Sequence, residues 1–165
     1  MSAASAVPVP VASPVRSASA RRDGAPAADE RIGLEGIAEA IAASGDRFVE
    51  SLYARFFTLC PDARPIFGEH SISEQEEMVA ETFRAIVAWV DGEPRLATNL
   101  DALGESHVEY GVEDAMYRPF VDALVETAAS CAGQDEASPG IRMLRESLEV
   151  ITTRMSVSGH GRPNA

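Results

Sequence analysis

From Glu30 to about residue 157, apolar residues recur three and four positions apart, and no stretch alternates as a half-buried strand must. That single period commits the chain to helices, so the expected fold class is all-α. Turn residues divide the pattern. Leu34, Ile37, Ala38 and Ile41 mark one face of a first helix over about 31–43, and Ser44-Gly45-Asp46 stops it and starts the next. The second, about 46–59, is expected to bury Phe48, Leu52, Phe56 and Leu59 and to end at Pro61. Residues 62–73 read as a short helical corner with a loop. A long helix follows over about 72–90, with Val79, Phe83, Ile86, Val87 and Val90 as its apolar stripe and Glu74, Glu76, Glu77 and Glu81 as its wet side. Helices over about 95–110, 114–132 and 140–156 complete the series. Gly111 is suited to a left-handed stop, and Pro119 inside the pattern requires a late start or a kink.

Residues 1–29 are mostly alanine, serine, proline and valine without either period, and read as a disordered tail; 30–157 form one domain and 158–165 a polar end. Pro8, Pro10 and Pro14 interrupt the early apolar stretch, and no basic residue precedes it, which argues against a secretory leader. Arg21-Arg22 leads into polar sequence, unlike a twin-arginine signal. Of 165 residues, 14 are arginine, none lysine, and 26 are acidic, giving a net charge of −12 that offers no footprint for nucleic acid or an anionic membrane. Cys60 and Cys131 form no metal or haem-attachment motif and fit a reducing cytoplasm.

Chemistry concentrates on one of the three histidines. His107 lies within a helical pattern among apolar residues, whereas His70 and His160 sit in polar surroundings and are expected to be exposed and non-ligating. Taken alone, such an imidazole is more often a satisfied structural residue than a ligand. Its company is more telling: Tyr53 and Phe56 on the second helix, Phe67 beyond Pro61, Gln75 opening the third long segment, and Tyr117 ten residues after His107.

Two stretches, FVESLYARFFTLCPDARPIF from Phe48 to Phe67 and LGESHVEYGVEDAMY from Leu103 to Tyr117, resemble the globin family. The likeness is greatest to single-domain bacterial haemoglobins and the globin domain of flavohaemoglobins, and runs from about Leu34 to Met155. The resemblance implies a globin fold around haem b, held without covalent attachment. His107 would be the axial iron ligand, Phe67 the corner phenylalanine, and Tyr53 with Gln75 the distal polar pair. Val79 would stand one turn beyond Gln75. Phe56, Phe83, Leu103, Val112 and Phe120 would wall the pocket, and Tyr117 would meet the second ring nitrogen of His107. The family's late glutamate would fall near Gly161, and Leu144 and Leu148 stand where aromatics are frequent.

The function implied is reversible binding of diatomic gases: dioxygen, and also nitric oxide or carbon monoxide. A dioxygen ligand on ferrous haem carries partial negative charge, which a phenol or amide donor stabilises. Nitric oxide dioxygenation would draw electrons from a separate flavin reductase, since these 165 residues contain no flavin or nicotinamide domain. The alternatives are a haem-based gas or redox sensor acting through a partner protein, and a haem-free helical interaction module.

Overall fold

The computed structural model describes residues 25–160; the expected disorder of 1–24, the polar end 161–165 and the glutamate position near Gly161 lie outside the described residues. Among the described residues there are seven α-helices, one 3-10 turn and no strand: α1 (Ala28–Ser44), α2 (Asp46–Leu59), the turn Pro61–Ala63, α3 (Arg64–Phe67), α4 (Ile72–Val90), α5 (Leu96–Glu109), α6 (Asp114–Ala132) and α7 (Pro139–Gly159). The first helix starts earlier than its apolar period, because the Glu30 carboxylate accepts the Ala27 N–H at 3.0 Å and takes in Ala28 and Asp29. No helix is long and apolar enough to cross a membrane.

Local chemistry explains the breaks. Gly45, at φ +58, separates α1 from α2 in a conformation that few other residues adopt cheaply. Cys60 N–H closes the end of α2 on the Phe56 carbonyl at 2.8 Å, and Pro61 opens the corner. Ser71 and Glu74 cap α4 reciprocally: the Glu74 N–H donates to Ser71 Oγ at 3.3 Å and the Ser71 N–H to the Glu74 carboxylate at 2.7 Å. The Ser71 N–H and hydroxyl, both donating to the Glu74 carboxylate, hold that carboxyl below the usual range. Helix α6 starts at Asp114 and continues through Pro119, its sixth residue, at the cost of the bond to the Ala115 carbonyl.

Helix α7 is the common support, with α1, α4, α5 and α6 packed on it, while α2 packs on α6 and α4. Two crossings depend on glycine. A Cβ on Gly33 would come within 2.7 Å of the Gly140 nitrogen, so α1 and α7 meet backbone to backbone. A Cβ on Gly104 would collide with the Met155 carbonyl, which brings α5 equally close to α7. The same pair is clamped outside by Arg154 of α7, whose Nε and Nη2 donate to the two Asp101 oxygens at 2.5 Å, with Ser158 donating to Asp101 as well. Ile37, Leu52, Phe56, Ile86, Leu124, Ile141, Leu144 and Leu148 form the driest part of the core. Leu59 and Val87, expected inside, are 39% and 53% exposed because no helix covers their side.

Candidate functional site

The helices α2, α4, α5, α6 and α7 leave a cavity between them, lined by Tyr53, Phe56 and Phe67 at one end and by Leu103, His107, Val112, Tyr117 and Phe120 at another. Counted out to and including its open mouth, it holds about 820 Å3 of non-atom space. Met78, Met116 and Met155 stand on its wall, with unbranched thioether side chains that adapt readily to a ligand. Leu148, Ile151 and Thr152 supply the α7 wall. Rings fix the aromatic end: Phe56 meets Phe120 edge to face at 5.3 Å and Phe67 at 5.7 Å between centroids.

His107 is set by its helix end. Gly111 takes φ +86, and the N–H groups of Val112 and Gly111 donate back to the carbonyls of His107 and Val108 at 2.9 and 3.0 Å, a Schellman closure. That closure carries Val112 onto the cavity wall. The His107 ring places Nδ1 2.8 Å from the Leu103 carbonyl, so Nδ1 carries the hydrogen and Nε2 keeps its lone pair. Burial holds the imidazole below its ordinary pKa, against the opposing pull of the Leu103 carbonyl. Burial favours the neutral ring and the Leu103 carbonyl fixes its proton on Nδ1, which together leave Nε2 with the lone pair that ligates a metal. Tyr117 does not make the bond the resemblance assigns it: its ring lies beside His107, 6.3 Å between centroids at 27°, while Leu103 has the nitrogen. The i to i−4 carbonyl is nearer to hand than a residue on the next helix.

Tyr53 is 3% exposed, and its O–H donates only to the Met78 sulfur at 3.8 Å, a weak acceptor. Burial pushes the phenol up to about 12, so it remains a protonated donor across the physiological range. Gln75 is also buried, but its amide Nε2 donates to the Phe67 carbonyl at 3.2 Å and ties α4 to the corner. It is not on the cavity wall.

The register of α4 departs from expectation. Met78, Glu81, Thr82 and Ala85, spaced as one helical face, line the cavity, with Glu81 at the mouth paired to Arg84 at 2.6 Å. Val79 and Phe83, expected on the pocket, instead line a separate groove with α1 and α2. Residues one position apart are turned by about 100° on a helix, so the apolar stripe read from the sequence is the neighbouring face. Thr82 and Met78 were missed because they are less apolar than Val79 and Phe83. His70 and His160 are exposed, 3.7 Å from Glu74 and 3.6 Å from Asp114. Among the described residues no cluster of acidic, histidine and cysteine side chains could hold a metal ion by itself.

A neutral imidazole with a free nitrogen and a buried phenol with an underused hydroxyl share one apolar, aromatic-walled cavity in a helical protein. That set suits a flat apolar cofactor carrying a metal, and haem fits it. The globin family model matches residues 50–155, a span that includes Tyr53, His107 and the cavity walls. The chain belongs to the globin family. Among curated proteins none matches its sequence.

Proposed function

We propose that the protein binds b-type haem non-covalently through His107 Nε2 and takes up diatomic gases reversibly, dioxygen foremost. The observation that carries this reading is the pairing of His107, neutral and bonded through Nδ1 to Leu103, with the buried Tyr53 hydroxyl in the same cavity. Haem supplies the ferrous iron at which a gas binds and, with nitric oxide, the redox chemistry that yields nitrate. The chain's own residues do the rest. Leu103 orients the imidazole and, as a neutral acceptor, polarises it less than a carboxylate would, which favours reversible binding over peroxide chemistry. Tyr53 presents its proton to a ligand's negative charge, and the apolar walls exclude water from the same space.

The same donor supports nitric oxide dioxygenation, with electrons returned by a separate flavin reductase. The free thiols Cys60 and Cys131 support work in a reducing cytoplasm. Absorption spectra of the purified protein with and without reductant and carbon monoxide test the cofactor, and normal ferrous and carbon monoxide spectra in His107→Ala would overturn the assignment. Stopped-flow mixing of the oxygenated protein with nitric oxide should consume the gas once per haem, with steady turnover only on adding the reductase and NADH.

A further inference from the structure

A second apolar surface is left unused by gas binding. It is a groove between α1, α2 and α4, floored by Phe48, Val49, Val79 and Phe83, with Val87 53% exposed on its edge. Acids mark both ends. Glu76 stands against Asp46 at one, and Asp91 and Glu93 at the other. Along α4, Glu76 to Asp91 spans about 22 Å at the helical rise of ~1.5 Å per residue.

The chain carries a segment of matching chemistry outside the described residues. Val7 to Val15 reads VPVPVASPV, in which three prolines favour an extended polyproline form with little entropy left to lose, about 28 Å long at ~3.1 Å per residue. Three arginines, Arg16, Arg21 and Arg22, follow it, with Asp23 the one acid among residues 1–24. The tether is also in place: Arg31 of α1 holds Asp91 at 2.9 Å, so the described chain enters at the Asp91 end of the groove. Residues 17–27 extend to about 36 Å at ~3.3 Å per residue, enough to carry Arg16 to the far end. A tether this short gives an effective concentration of about a millimolar, so modest contacts suffice.

We propose that Val7–Val15 docks in this groove as an extended segment, with Arg16 against Asp46 and Glu76. A hydrogen bond shared with Asp46, then burial and the repulsion between the two carboxylates, hold the Glu76 carboxyl above its usual range, and a guanidinium between them would offset that repulsion. Because α4 turns Val79 and Phe83 to the groove and Met78 and Thr82 to the cavity, the docked segment braces the gas-binding helix from behind.

The test uses the full-length chain. Methyl NOEs should link Val9 or Val11 to Phe83 or Val87, and Val87→Asp, on the exposed edge away from the cavity, should abolish them. Trypsin cleavage after Arg16 tracks the undocked population, and should rise in that variant by about tenfold, the equivalent of ~1.4 kcal/mol. Glu76→Arg should weaken the NOEs from Val9 and Val11, and Arg16→Glu in the same chain should restore them. Absence of these NOEs in the wild type, or equal cleavage in wild type and Val87→Asp, overturns the proposal. NOEs that persist under isotope filtering in a mixed labelled and unlabelled sample would also overturn it, by assigning the groove to a second copy.

Discussion

Replacing Tyr53 with phenylalanine separates the residue's two roles. In the folded protein its ring packs at 5.9 Å from Phe57 and 6.4 Å from both Phe56 and Phe67, all contacts that phenylalanine keeps. The hydroxyl loses only a 3.8 Å contact to sulfur. Such a neutral, weak bond is worth no more than about 1 kcal/mol, and removing it also relieves the burial of a polar group. Stability by urea unfolding of the haem-free protein should therefore change by less than about 1 kcal/mol in either direction. Toward a ligand bearing partial negative charge the same hydroxyl contributes about 1.5–3 kcal/mol, which becomes a dioxygen release about ten- to a hundredfold faster. Carbon monoxide, with less charge, should respond less. Flash photolysis and stopped-flow displacement measure both rates. An unchanged dioxygen off-rate would refute the reasoning, because it would place the phenol away from the bound gas.

Gln75→Leu should alter the dioxygen off-rate less than Tyr53→Phe does, yet destabilise the fold by about 0.5–1.5 kcal/mol by removing one of the two bonds to the Phe67 carbonyl, which keeps the His70 N–H; a larger kinetic effect than that of Tyr53→Phe would reverse the two roles. Gly104→Val should cost about 1–3 kcal/mol or more in urea unfolding, since its Cβ meets the Met155 backbone three residues before His107; wild-type stability would show that α5 and α7 can separate freely. Asp101 is held down to about 2 by Arg154 and Ser158, below its ordinary 3.8, so the stability it adds is full above pH 3.8 and is lost as pH falls through about 2. Asp101→Asn should remove the pH dependence of Tm in that window and lower Tm by the same small amount at neutral pH, since the pair is exposed.

The parts of the fold legible in the sequence are those governed by local rules. The bounds 46–59 for α2 follow from Gly45 on one side and Pro61 on the other, and both act through their own backbones. Gly111 as a left-handed stop, and His107 as the histidine facing the core, likewise need only neighbouring residues. The first helix extends beyond its apolar period because the Glu30 side chain reaches back to Ala27, a bond that hydrophobicity does not register.

What was not legible is which of two apolar faces of α4 meets the cavity. Val79 and Phe83 are the more apolar, and a rule that sends the greasiest residues inward selects them. The protein uses them where α1 and α2 must close on α4, and gives the cavity Met78, Thr82 and Ala85. Thr82 spends its hydroxyl on the Met78 carbonyl at 2.9 Å, and Gln75 donates to Phe67. Of the polar groups on this side, the Tyr53 hydroxyl is therefore the one left facing only a thioether. A wall that is soft and nearly without donors lets a ligand enter by moving methionine, and one fixed phenol then decides how long a charged ligand stays. In the proposed function, discrimination among gases would therefore rest on a single hydrogen on α2, with α4 supplying room.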